Sequence, residues 1–258
     1  VTERQLRLDR LPAGASGVLR ALRAAAGLRV HPALVGGAVR DACLARAGER
    51  TRALVDLDVA VPGGALALAG RLAERLGGTR VILDAERGAA RVVAGRHQVD
   101  ITDFRAPSLE ADLCARDFSV NALAVDVRAL LATGRAPIVD PTGGVRDLAA
   151  RRLRLPSDAV LADDPLRVLR GVRLETELGL RLTPEALRAF RAAAPWLAGV
   201  SVERVRDEIL LMLGAPSAAT ALRRLDAVGA LAIVLPEVEP MRATTQPAPH
   251  RFTVLEHS

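Results

Sequence analysis

Leu54-Val55-Asp56-Leu57-Asp58-Val59-Ala60-Val61 is an aliphatic, partly β-branched run closed by Pro62-Gly63-Gly64, and it reads as a buried strand. Side chains alternate across a strand, so Asp56 and Asp58 project from one face. Two carboxylates on an apolar strand are costly to bury without compensation. Two readings follow. Either this is a partly exposed edge strand with solvated acids, or the aspartates are ligands for a divalent metal. Hard oxygen ligands select Mg²⁺, which binds through one or two carboxylates plus substrate phosphates.

Upstream of this strand, residues 1–30 are Arg-rich and mostly helical in pattern, and His31-Pro32 breaks them off. Ala33-Leu34-Val35 reads as a short strand running into Gly36-Gly37, and a helix follows from Ala38 to about Arg46. A glycine pair before a helix bares backbone N–H groups that can hold phosphate, although an ordinary strand-to-helix turn has the same signature. Arg40 lies in the helix's first turn. It is placed either to pair with Asp41 or to face the phosphates.

Downstream, the spacing predicts a helix over residues 64–76, ended by Gly77-Gly78, and strands over 79–83, 90–93 and 98–102. Asp100, in the last of these, is a candidate third carboxylate or an exposed strand-end acid. Residues 109–127 read as mainly helical with a break near Asp117, and Asp140-Pro141-Thr142-Gly143-Gly144 as a tight turn. Arg116, Asp117 and Asn121 are polar residues embedded in an apolar stretch. They suit phosphate and ribose hydroxyls, and Asp117 or Ser119 equally suits a helix N-cap.

The strand signal fades after about Val145. Helices are expected over 165–177, 184–194, 202–213 and 218–228, and the proline-rich residues 236–249 read as a linker. Pro165 marks a helix start with Asp164 placed to cap it. Arg167 and Arg170 fall three apart on one face, and Asp164 is a neighbour of Arg167. Together they offer an acceptor and a donor fork for the edge of a base, or form a surface ion pair.

Composition sets outer bounds. The 258 residues are half hydrophobic but only 2% aromatic, so the core is built of Leu, Val and Ala. A formal charge of +6, carried by arginine, suits a polyanionic partner, although a GC-rich genome also writes Arg for Lys. Cys43 and Cys114 have no metal-type spacing, which fits a reducing, cytoplasmic setting. No apolar run reaches transmembrane length and no signal peptide is read, so no membrane association is expected.

In this order, Leu34-Val35-Gly36-Gly37-Ala38-Val39-Arg40-Asp41, Asp56-Leu57-Asp58, Arg116-Asp117-Phe118-Ser119-Val120-Asn121-Ala122, Asp140–Gly144 and Asp163-Asp164-Pro165-Leu166-Arg167 resemble the class II tRNA nucleotidyltransferase and bacterial poly(A) polymerase family, within the DNA polymerase β-like superfamily. Ser201-Val202-Glu203-Arg204 fits the family's neck helices, and residues 250–257 resemble the opening of an HD domain.

The resemblance implies an α/β (α+β) head with a mixed, mainly antiparallel sheet over residues 1–150. It implies a helical neck over 151–235 and a linker with the start of a truncated HD-like domain over 236–258. It further implies template-independent addition of CMP and AMP, from CTP and ATP, to the tRNA 3′ end. Asp56 and Asp58 would hold two Mg²⁺, with Asp100 as a further catalytic acid. Gly36, Gly37 and Arg40 would cradle the triphosphate, and Arg116, Asp117 and Asn121 the ribose and phosphate. Asp164 and Arg167, with Arg170 beside them, would read the base.

Two departures stand out. Ala115 replaces the first of the family's paired arginines, and only Ala106-Pro107 separates Asp103-Phe104-Arg105 from Ser108-Leu109-Glu110, where many members carry a longer loop. CCA addition is the simplest specificity, the short loop favours a CC-adding variant as the alternative, and poly(A) polymerase is a third specificity. A small-molecule nucleotidyltransferase and an inactive RNA-binding relative complete the alternatives. The neck segment and basic charge argue against the first of these, and intact Asp56 and Asp58 against the second.

Overall fold

The structure, a computed structural model, describes residues 5–45, 55–157, 159–246 and 251–254. Leu54 and half of the HD-like stretch, namely His250, Leu255, Glu256 and His257, lie outside the described residues. The strands are β1 (Gln5–Arg7), β2 (Ala33–Val35), β3 (Val55–Val61), β4 (Thr79–Asp84), β5 (Ala89–Ala94), β6 (His97–Asp103), β7 (Ala124–Asp126), β8 (Arg135–Pro137), β9 (Arg152–Leu153) and β10 (Arg181–Leu182). The helices are α1 (Ala15–Ala26), α2 (Gly37–Leu44), α3 (Ala65–Leu76), α4 (Leu109–Cys114), α5 (Val127–Thr133), α6 (Gly144–Ala149), α7 (Ala159–Asp163), α8 (Arg167–Glu177), α9 (Pro184–Ala193), α10 (Val202–Leu213), α11 (Ala218–Ala227) and α12 (Leu231–Val234). The chain divides into two compact units, one of residues 1–150 with 155–157 and one of 151–154 with 158–258.

The first unit is built on a six-stranded sheet of order β4-β5-β6-β3-β2-β7. It is mixed and mainly antiparallel; only β3 and β6 run parallel. The parallel pair is joined through α3, β4 and β5, a crossover long enough to bring β6 back beside β3. One face of β3 and β6 buries Leu57, Val59, Val99 and Ile101 completely. On that side α3 contributes Leu68, Ala69 and Leu72, also fully buried. Each such Leu stabilises the fold by about 1.5–3 kcal/mol. The other face continues from Ala60 into a small cluster with Ala33, Val35, Leu113, Ala122 and Ala124, lined by Phe104 and Leu109. Among the described residues β4 is an edge strand with one neighbour, β5, and its Val81, Ile82 and Leu83 are each about half exposed.

Local rules account for the element ends. Gly64 precedes α3, and Gly77 closes it at φ +60°, a conformation that favours glycine. Thr183 caps α9 by accepting from the Ala186 N–H at 3.3 Å, ahead of Pro184 in the first turn. Ser108 caps α4 in the same way through Ala111 N–H.

Several expectations are corrected. Within the N-terminal segment, Gln5–Arg7 is not helix but β1, paired antiparallel with β8, and the helix is a 3₁₀ turn at Leu8–Arg10 followed by α1. Residues 109–127 contain only the short α4 and a 3₁₀ turn at Ser119–Asn121, before β7 joins the sheet. Neither Asp117 nor Ser119 is an N-cap, because Phe118 holds that position without a side-chain bond. The second unit is not purely helical, since β9 and β10 form a short parallel pair. Within the expected linker, Pro236–Arg242 is a 3₁₀ helix.

Gly144 opens α6 against the 3₁₀ turn at 119–121. A Cβ there would lie 2.0 Å from the Ser119 carbonyl oxygen, so backbone would have to move. Asp140 caps the helix through the N–H groups of Gly144 and Val145, at 2.7 and 3.0 Å. Gly144→Ala is expected to destabilise the first unit by about 1–3 kcal/mol. Chemical denaturation followed by circular dichroism measures this, and an unchanged midpoint would refute the close packing.

Candidate active site

β2 ends at Val35, directly across from Asp58 on β3, and the chain then turns through Gly36 into α2. Gly36 has φ +71° and ψ −138°, a region closed to other residues. A Cβ on it would sit 2.8 Å from Asp58 Oδ2 and 3.5 Å from Arg116 Nη1. Gly36 N–H donates to the Leu123 carbonyl at 3.1 Å, which holds the turn against the 118–124 segment. The missing side chain therefore lets the backbone, an acid and an arginine converge.

Asp58 lies across from Asp100 in the parallel β3–β6 register, and Asp56 across from Gln98. The three acids thus share one face. Arg91, on β5 opposite Asp100, donates twice to the Asp100 carboxylate at 2.7 and 2.8 Å. Gln98 Nε2 donates to Asp56 Oδ1 at 3.2 Å. Loss of hydration around the Asp56 carboxyl, followed by the charge of Asp100, raises its pKa above the ordinary aspartate value, while Gln98 and Arg91 pull it down. The residue as a whole is solvent-exposed, so water moderates the effect. Arg91 is held strongly protonated, first by its hydrogen bonds to Asp100 and then by the charges of Asp100, Asp56 and Asp58.

Arg40 faces inward. Its Nη1 donates to Asn121 Oδ1 at 2.7 Å and its Nε to Asp41 at 2.7 Å. Asn121 Nδ2 in turn donates to Asp117 Oδ1 at 3.1 Å, and Phe118 N–H to the same oxygen at 2.8 Å. Gly37 lies under the Arg40 guanidinium, its Cβ position 3.4 Å from Nη2. Arg116 pairs with the buried Asp112, and Asp112 also accepts from Arg105 N–H at 3.0 Å. Ser119 donates to the fully buried Asp147 at 2.7 Å. So Gly36, Gly37, Arg40, Asp56, Asp58, Asp100, Arg116, Asp117 and Asn121 all belong to the first unit, arranged about the end of β2 and the start of α2.

The second unit carries the other group. The Asp164 carboxylate does not cap α8, whose N-cap is Leu166. One of its oxygens accepts from Leu166 N–H at 3.2 Å and the other from Arg204 Nη2 at 2.7 Å. The Arg167 guanidinium donates to the Val160 carbonyl at 3.0 Å. Arg170 is exposed one turn further along α8. Arg204 is thus a direct partner of Asp164 that residue spacing did not reveal.

Among the described residues, no three acidic, histidine or cysteine side chains are placed to hold one metal ion. The side chains that could hold a cation here are Asp56 and Asp58, since Arg91 engages both oxygens of Asp100. That pair fits a hard divalent ion: two carboxylates share a face, one resists ionisation, and a vacant Cβ position lies against the other. No helix among the described residues is long and apolar enough to cross a membrane.

A mixed sheet with two acids beside a Gly-Gly turn, in a chain that also carries a second, largely helical unit, is the nucleotidyltransferase fold of the DNA polymerase β-like type. Residues 33–154 match the poly(A) polymerase head domain, and residues 179–242 the probable RNA- and SrmB-binding site of polymerase A. The chain belongs to this tRNA nucleotidyltransferase and poly(A) polymerase family, whose members are generally metal-dependent. It is 42% identical over 230 residues to the A-adding tRNA nucleotidyltransferase of Deinococcus radiodurans, covering 87% of this chain and 50% of that protein. It is 40% identical over 183 residues to the CC-adding tRNA nucleotidyltransferase of Synechocystis, covering 71% and 42%. The Thermotoga maritima CCA-adding enzyme complexed with tRNA superposes with a TM-score of 0.76 at 26% identity, over 93% of this chain and 55% of that one. The chain spans about half the length of the curated relatives it matches.

The raised pKa of Asp56 has a consequence for stability. Its folded value lies above the unfolded one, so the folded state loses stability as pH rises through that range. Asp56→Asn removes this loss. In chelator the variant is expected to unfold at a higher temperature than the parent at pH 7, with the gap closing below about pH 4. A pH series of melting curves measures it, and a variant less stable than the parent at pH 7 would refute the assignment.

Proposed function

We propose that this chain catalyses template-independent addition of nucleotides, CMP and AMP from CTP and ATP, to the 3′ end of tRNA. The observation that carries the reading is the convergence of Asp58, Arg116 and the Gly36 backbone beside Asp56. Asp56 and Asp58 hold divalent metal, most simply two Mg²⁺. The metal supplies activation of the RNA 3′-hydroxyl and charge neutralisation of the pyrophosphate leaving group. The Gly36-Gly37 backbone and the start of α2 receive the triphosphate. Arg116, anchored by Asp112, presents its remaining donors to phosphate. Asp117 and Asn121, braced by Arg40, present oxygen and amide groups to the ribose. Asp100 keeps its negative charge compensated by Arg91 and stays outside the metal pair. A cytosolic setting, with residues 1–150 as head and the helices beyond as neck, accompanies this reading.

Base choice falls to Asp164 and Arg167, with Arg170 beside them. Arg204 holds one oxygen of Asp164 in place, leaving a fixed acceptor and a guanidinium fork for the Watson–Crick edge. A polar group left unpaired against a wrong base costs discrimination energy.

A narrower specificity, C addition with poor terminal A addition, is favoured by one observation. The connection from β6 to α4 is residues 104–108 and is pinned on both sides, by Phe104 N–H to the Val61 carbonyl at 2.8 Å and by Arg105 N–H to Asp112. Pro107 stiffens it further. Such a connection has little freedom to re-set a pocket between two bases.

The test offers Mg²⁺, each labelled nucleotide, and tRNA ending before, within or after CC. The parent is expected to incorporate C, and Asp58→Asn to lose at least about 10³-fold in rate. No incorporation by the parent, or full activity in Asp58→Asn, would overturn the reading. Arg167→Ala should admit UTP and GTP while changing triphosphate affinity little; unchanged base preference would remove its role. On tRNA ending in CC, A addition as fast as C addition to the shorter tRNA would dismiss the narrower specificity.

A further inference from the structure

Residues 5–32 precede the stretch that matches the head domain, yet they form one wall of a cleft of about 920 Å³. Its lining comes from β1, the turn before α1, the outer face of α1 and the α5–β8 turn. Arg7, Arg20 and Arg135 face it against a single acid, Asp9, and Asp9 is engaged by Arg7 at 3.1 and 2.6 Å. Arg20 also lines an adjoining cleft of about 350 Å³, together with Arg23 and Arg128 and no acid at all. Arg20, Arg23 and Arg135 are exposed, and among the described residues their guanidinium groups have no acidic or hydrogen-bonded partner.

α1 carries no acidic residue. Arg20 and Arg23 stand one turn apart on its outer face, where Ser16, Gly17, Ala24 and Gly27 keep the surface low around them. A Cβ on Gly17 would touch nothing within 4 Å, so the fold's own packing does not require a glycine there, and glycine weakens a helix. The helix is about 18 Å long, a span of several phosphates rather than one nucleotide. By strand alternation, Asp56 and Asp58 stand on the face of the sheet away from α3, and α1 packs against α3.

We infer that this arginine-lined surface is a second binding site of the head unit, distinct from the nucleotide site, and that its ligand is the phosphate backbone of RNA. Guanidinium forks match phosphate oxygens in pairs, and the acid-free outer face of α1, low at Ser16, Gly17 and Ala24, admits a backbone closely. The inference rests on the reading that tRNA is the substrate. A remote part of that tRNA would then gain affinity here without touching the reacting ends.

The test uses the full-length protein carrying Arg20→Glu, Arg23→Glu and Arg135→Glu together, and a parallel triple Gln variant in case reversed charge harms folding. Binding of whole tRNA is followed by fluorescence anisotropy from about 50 to about 200 mM salt, and nucleotide addition is measured on whole tRNA and on a short acceptor-stem hairpin. The expected result is a Kd and KM for whole tRNA raised about tenfold or more, with the salt slope reduced by about 2–3. kcat and the hairpin KM stay at parental values, because uniform remote binding moves KM alone. Unchanged tRNA affinity and slope would overturn the inference, as would an equal rise in KM for the hairpin. Loss of binding to an Asp/Glu-rich peptide, with RNA affinity intact, would give the surface to an acidic protein and also overturn it. If the parent adds no nucleotide while the variants still lose tRNA affinity and slope, the catalytic reading falls and the binding surface stands.

Discussion

The contact on which the site depends is between a backbone and a carboxylate. Gly36 brings the main chain to where a Cβ would sit 2.8 Å from Asp58 Oδ2, in a conformation no other residue adopts at low cost. That approach fixes the height of the turn above β3, and with it the direction in which α2 leaves the sheet. Helix direction then places Arg40 against Asn121, and Asn121 against Asp117. The polar groups of the 116–121 segment are therefore located by one glycine and transmitted through hydrogen bonds, rather than by packing of that segment alone.

Electrostatics supply the second layer. Three acids on one sheet face repel one another, and the fold answers with arginine from the neighbouring strand instead of burying or removing an acid. Asp100 takes both of its oxygens' partners from Arg91, whereas Asp56 has the single neutral donor Gln98, and loss of hydration followed by the charge of Asp100 raises its pKa. Bringing carboxylates together on one face costs the folded chain some stability, a common cost of a site arranged for function rather than for packing.

Much of this was legible in residue order. The Asp-x-Asp strand, the Gly-Gly turn and the glycine-closed α3 lie where period and punctuation place them, and β4, β5 and β6 match the expected segments to within one residue at each end. The pairing of Arg91 with Asp100 was within reach too. A two-residue turn at Gly95-Arg96 makes Ala94 face His97, and counting back from it sets 91 against 100. The three-residue strands β1, β7 and β8 were not legible, because their apolar letters suit a helix equally well and only sheet partners decide. Asp164 shows the same limit from another side. Spacing pairs it with Arg167, but the chain offers it Arg204 from forty residues on, and the tertiary partner takes it.

The open edge of the sheet bears on how the molecule behaves in concentrated solution. β4 leaves Val81, Ile82 and Leu83 half exposed on a strand edge that no strand among the described residues pairs, an attractive surface for any similar strand. The net charge of +6 opposes that attraction, since like-charged molecules repel at a distance. Salt shortens the reach of the repulsion to about 10 Å at 0.1 M and leaves the apolar attraction intact. Colloidal stability is thus greatest in dilute buffer, and the ionic strength that frees the protein from polyanions is also the one that lets its sheet edges meet.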